Sequence, residues 1–213
     1  MKWNRLPKEQ ASEVMNAIGD QRDAVIFSDQ MTEVAWQELP FYTHFKLYRL
    51  TNYATMPSFT MDYLGNGDTF VSIDGTANPV YTVNETDPVR IDLNTVTAYL
   101  DFFFTNVRAI DGDIFLIKNP NDLPLISSLS QEQQQSIINS HVPINISAQA
   151  TSNSFHVTGT LYYDGSLISA TIQVTGEGKL SIENQSLLLQ GIQFPHSPTS
   201  YNWDARNQQA QTE

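Results

Sequence analysis

Four histidines, His44, His141, His156 and His196, are the side chains of this chain best suited to proton transfer near neutral pH. None has a second histidine at metal-ligand spacing, and the chain has no cysteine at all. Thiolate catalysis, disulfides and cysteine-based zinc sites are therefore excluded. His44 has the richest surroundings, with Tyr42 and Tyr48 in its own segment and Asp62 in the next. If those segments pair as strands, Asp62 comes within reach of His44. A carboxylate holding one imidazole nitrogen leaves the other aimed for proton transfer, and Tyr48 adds a phenol. His44, Asp62 and Tyr48 are accordingly the candidate catalytic set, for a small-molecule hydrolase or isomerase. The commoner role for such a histidine is a half-exposed strand position. His156 falls on the polar face of its strand, and His196 in a polar C-terminal stretch.

Other motifs resolve into turns or solvated faces. Asp101 interrupts an apolar helix, where burial would raise its pKa; Thr97, Asp101, Thr105 and Arg108 instead read as one polar stripe. Asp111-Gly112-Asp113 and Asn66-Gly67-Asp68 offer oxygens but lack the further ligands of a calcium loop. Gly176-Glu177-Gly178-Lys179 lacks the upstream glycine of a phosphate loop, since Gln173 holds that place. No Gly-x-Ser-x-Gly elbow occurs. No cofactor is expected. Asn84, Asn145 and Asn184 begin glycosylation sequons, which matter only in a glycosylating secretory pathway. Trp36, Phe41, Tyr42, Tyr48 and Tyr53 crowd one region, as a core or as a ligand or protein contact.

The elements that position these residues follow from periodicity. Pro7, then Ala11, Val14, Met15 and Ile18, predict a helix stopped by Gly19. Ala24 to Phe27 reads as a short strand, and Ser28 to Gln37 as a short helix carrying Val34 and Trp36. Tyr42 to Tyr53, Ser58 to Leu64, Thr69 to Asp74 and Val80 to Val83 read as a strand meander, with turns at Asn66-Gly67 and at Asn78-Pro79. Asp92 to Ala109 is a helix apolar over most of its circumference, which implies burial on both sides. A strand over Ile114 to Lys118 follows. Ser130 and Gln133 then form a capping box for a helix to about Ser140. A second meander runs through Ile144 to Ala148, Phe155 to Tyr163, Ile168 to Val174, Leu180 to Ile182 and Leu187 to Ile192, with hairpin turns at Asp164-Gly165 and Gly176-Glu177-Gly178.

The fold class is therefore α+β, with two antiparallel β-meanders and packed helices. Residues 1–195 are expected as one compact domain, with sub-lobes 1–88 and 89–195, and residues 196–213 as a flexible polar tail. The helix-then-strands order resembles the cone-shaped NTF2-like and cystatin-like folds in element order alone, and no functional residue is carried across. With 40% hydrophobic and 11% aromatic residues, a sizeable core is available. A formal charge of −12 with scattered cations disfavours nucleic acid and anionic membranes. No apolar segment reaches membrane-spanning length, and the N-terminal residues show no signal-peptide pattern. A non-catalytic binding or protein-interaction module is the favoured expectation, with a protein or small-molecule ligand as partner. The alternative is the hydrolase or isomerase, with a pocket beneath the 92–109 helix.

Overall fold

The computed structural model describes residues 2–19, 26–108, 112, 114–123, 126–149 and 153–192. It is an α+β architecture with four helices and two antiparallel sheets of five strands among the described residues. Strand β1 (Asn4–Arg5) leads into helix α1 (Lys8–Ile18). Strands β2 (Thr32–Glu38), β3 (Lys46–Asn52), β4 (Phe59–Gly65) and β5 (Phe70–Ser72) then complete the first sheet, in the order β1-β2-β3-β4-β5. Alternation decides its two faces. Val34, Leu50, Tyr63 and Phe70 lie under Ala11, Met15 and Ile18 of α1. Leu47 and Leu64, which are register partners, point the other way into the main core.

Two sequence expectations are corrected here. Thr32–Glu38 is a strand, not a helix, and pairs with all seven residues of β3. Val34 and Trp36 are two apart, so both face α1 once the strand forms, and β-branched Thr32 and Val34 suit the extended state. Conversely, Val80 to Val83 is not a strand but part of helix α2 (Asn78–Thr86). Pro79 opens this helix, and Val80 and Val83, three apart, are both fully buried on one face. The Ala24–Phe27 expectation falls partly outside the described residues; Phe27 itself is buried and not in a strand. The 196–213 tail lies wholly outside them.

Helix α3 (Val96–Asn106) is shorter than its apolar pattern suggested. Asp92 lies ahead of it as a local cap, its Oδ1 accepting the Asn94 and Thr95 N–H groups at 2.7 and 2.9 Å. Val96, Tyr99, Leu100, Phe102 and Phe103 are buried. The polar stripe is real. Thr105 is exposed, and Asp101 forms an ion pair with Lys118 instead of sitting desolvated. Helix α4 (Gln131–Ser140) starts at the expected capping box, Ser130 accepting from the Gln133 N–H and the Gln133 side chain from the Ser130 N–H.

The second sheet contains β6 (Ile114–Ile117), β7 (Asn145–Gln149), β8 (Ser154–Tyr163), β9 (Ser166–Thr175) and β10 (Leu180–Leu189). β9 pairs along all of β8. The opposite edge of β8 is shared by two short strands, β7 along Ser154–Thr158 and β6 along Thr160–Tyr163. Fully buried Thr160 closes the junction by accepting the Val142 N–H at 2.8 Å. β10 is one strand with irregular pairing after Glu183, where Asn184 takes a positive φ of 50°, so Leu187 to Leu189 continues it.

The main core draws on both halves of the chain. Phe41 meets α3 at Tyr99 and Phe102, and Tyr42 and Leu64, with Val157, Leu161, Ala170 and Ile172 of the second sheet, belong to the same buried cluster as α3. This cluster includes the α3 residues beneath which the sequence reading puts a pocket.

Gly65 sits directly across from buried Phe70, whose ring covers the position a side chain would take. Gly65→Ala is expected to cost about 1–3 kcal/mol through overpacking. A lowered urea midpoint with an unchanged slope checks this; an unaltered midpoint would mean the ring moves aside freely.

Candidate functional site

The three sequence candidates do not converge. β3 and β4 do pair, but in a register that sets Lys46 against Gly65 and Arg49 against Asp62. His44 precedes β3 and so projects past the end of β4. Asp62 is held instead by the Arg49 guanidinium in a two-bond fork, at 2.8 and 2.7 Å. That same guanidinium lies 4.5 Å from the Trp3 ring centroid. Tyr48 points to the opposite face of the sheet, edge-on to Phe70 at 5.2 Å between centroids, and burial raises its phenol pKa.

His44 nevertheless has a carboxylate partner, Asp87, the residue that ends α2. Asp87 Oδ1 lies 3.2 Å from His44 Nδ1, while Oδ2 accepts the backbone N–H groups of His44 and Phe45 at 2.9 and 3.2 Å. The carboxylate is buried, whereas the His44 side chain is 71% exposed. Burial of Asp87 works against its charge, but the bonds from His44 and Phe45 outweigh it and hold the carboxyl below its ordinary pKa. The arrangement can orient an imidazole. Its main effect, however, is to tie the 39–45 loop, with core residues Phe41, Tyr42 and Phe45, to the end of α2.

Next to this clasp runs a half-buried polar chain. Tyr42 donates to Asn84 Oδ1 at 2.5 Å. Asn84 Nδ2 donates to Tyr99 Oη at 3.1 Å and to the Glu177 carbonyl at 3.0 Å. Tyr99 in turn donates to the Gly178 carbonyl at 2.6 Å. The chain joins the 39–45 loop, α2, α3 and the β9–β10 turn. Desolvation raises the pKa of both phenols, and for Tyr42 the neighbouring Tyr99 and Asp87 add to it. Gly178 has φ +79°, and a Cβ there would lie 2.5 Å from Asn84 Nδ2 and 2.6 Å from Tyr99 Oη. The Gly-Glu-Gly-Lys motif is thus a hairpin turn whose glycine gives room to this chain.

A different region presents itself outward. Of the seven large apolar side chains that are exposed among the described residues, Met31, Tyr53, Met56 and Phe59 lie at one end of the first sheet; Met31 and Tyr53 share one face, while Phe59 is on the other, its ring 5.5 Å from that of buried Phe27. They flank the β3–β4 hairpin. Asn52 is the register partner of both Thr32 and Phe59, and the Tyr53 N–H bonds the Met31 carbonyl at 3.3 Å. Met56 at the tip is fully exposed and Tyr53 is 59% exposed. Gln30, Met31, Thr32, Glu33 and Tyr53 line an open concavity of about 300 Å³. Of the aromatic group noted in the sequence, Phe41 and Tyr42 belong to the core and Tyr53 to this rim. Asp87, Asn84 and Tyr99 were missed as partners because only the tertiary fold brings them together. Met56 carried a local signal, an apolar residue before proline inside the polar stretch Thr51 to Ser58.

Among the described residues, no group of three or more acidic or histidine side chains is arranged to hold a metal. No helix among them is long and apolar enough to cross a membrane. No protein family, curated protein or solved structure matches the chain, so function is argued from the geometry alone.

Two linkage tests follow. Asp87 is held below its unfolded pKa, so its contribution is complete above that value and is lost as pH falls through the folded one. Asp87→Asn is expected to lower stability at neutral pH by about 1–3 kcal/mol. It should also flatten the stability loss below about pH 4; parallel curves for variant and wild type would refute the role. Tyr42 and Tyr99 are held above theirs, so stability falls as pH rises above about 10. Tyr99→Phe should shallow that alkaline slope in denaturant titrations.

Proposed function

We propose that the chain is a non-catalytic binding module that holds a partner protein on the rim formed by Met31, Tyr53 and Met56. The observation that carries this reading is the gathering of three exposed apolar side chains, one aromatic and two methionine, at one sheet end. Isolated exposed apolar residues are ordinary, but several gathered at one place mark an interaction surface, and aromatic residues and methionine are enriched at protein interfaces. Methionine also adapts its shape to a partner. A formal charge of −12 adds that nucleic acid is a poor partner. The hydrolase or isomerase reading draws less support, because Asp62 is engaged by Arg49, Tyr48 faces α1 and Asp87 is occupied by two backbone N–H groups.

A photo-crosslinking amino acid at position 56 should yield discrete adducts in cells that make the protein. The same group at exposed Glu85, on α2 away from the rim, should yield none. Equal labelling at both positions, or none at position 56, would sink the reading.

A further inference from the structure

The concavity beside the rim carries a chemical preference that the apolar side chains alone do not. Tyr53, Met31, Gln30 and Glu33 border it, so residues carrying an aromatic ring, a thioether, an amide and a carboxylate meet at one open concavity. Met31, Glu33, Thr51 and Tyr53 share one face of the first sheet, as the register of β2 with β3 requires. An aromatic face, a flexible apolar contact and a carboxylate within one small hollow suit a long cationic side chain. The ring attracts the charge, the thioether packs against the methylene stem, and the carboxylate pairs with the head group.

The fold already contains an instance of the last contact. Arg5 of β1 sets its Nε 3.1 Å from Glu33 Oε1, with the arginine side chain 74% exposed and the glutamate side chain 27% exposed. Such an exposed pair is weak and exchangeable. Glu33 is therefore compatible with a guanidinium and is held by one that is largely in water. Global charge points the same way. At −12 the chain attracts a cationic segment and repels a second copy of itself.

We infer that this concavity is the anchoring site for an arginine or lysine side chain of a basic, apolar segment of the partner protein, which displaces Arg5 from Glu33 as it docks on the rim. The inference rests on the binding-module reading and adds the chemistry of the partner.

A fluorescein-labelled synthetic peptide alternating arginine and leucine serves as the probe, read by anisotropy against the full chain. A second peptide carries neutral citrulline in place of arginine. The arginine peptide should bind and the citrulline peptide much more weakly. Glu33→Gln should weaken the arginine peptide about two- to fivefold, and Arg5→Ala should strengthen it by a similar factor by removing the internal competitor. Lys179→Ala, in the β9–β10 turn of the other sheet, makes the same charge change as Arg5→Ala and should leave binding unaltered. Circular dichroism confirms that each variant is folded. The inference is overturned if Glu33→Gln binds as the wild type does, if Arg5→Ala and Lys179→Ala act alike, if citrulline is tolerated, or if the arginine peptide does not bind. Adducts at position 56 together with a neutral Glu33→Gln would sink the cationic anchor and leave the binding module standing.

Discussion

A helix that is apolar over most of its circumference has to be walled in on more than one side, and α3 imposes that condition on the whole molecule. One wall comes from the 39–45 loop, α2 and the inner end of the first sheet; the other is the inner face of the second sheet. Because the walls come from opposite halves of the sequence, the buried seam carries polar groups from both. Where such a group is shut off from water it needs a partner, since an unpaired buried donor or acceptor costs about 1–3 kcal/mol. The Tyr42–Asn84–Tyr99–Gly178 chain and the Asp87 clasp meet that need. What looks like a cluster of reactive groups is the hydrogen-bonding counterpart of burying α3.

The same requirement separates the two polar regions of the molecule by role. Side chains at the seam are spent on each other or on backbone groups. Those at the far end of the first sheet lie beyond the reach of α3 and of α1, and there Met31, Tyr53 and Met56 stay open to solvent. The rim is thus available because Met31, Tyr53 and Met56 lie just beyond the strand ends, where buried Asn52 and the Phe27–Phe59 contact mark the limit of the core.

The sequence carries the fold wherever a local rule decides. Asp164 and Gly165 both take positive φ, 40° and 78°, as their hairpin turn demands, and Ser130 with Gln133 forms the box their spacing implies. It misleads where short apolar runs fit either period. Val34 and Trp36 fit a strand only once β3 lies alongside, and Val80 with Val83 becomes a helix face because Pro79 opens a helix there instead of a turn. The candidate site was less legible still. The sequence points to His44 but not to its carboxylate, which sits 43 positions along the chain at a helix end. The β3–β4 register, which removed Asp62 from reach, is set by where the 53–58 loop begins and ends, and no residue type announces that.

Asn84 shows what such a seam implies for modification of the chain. Its side-chain nitrogen has two hydrogens, and both are engaged, by Tyr99 and by the Glu177 carbonyl. An oligosaccharide would have to be attached through that nitrogen. A sugar on the Asn84-Glu85-Thr86 triplet would take one of those two hydrogens, so decoration of Asn84 and the full set of bonds from α2 to α3 and the β9–β10 turn cannot coexist.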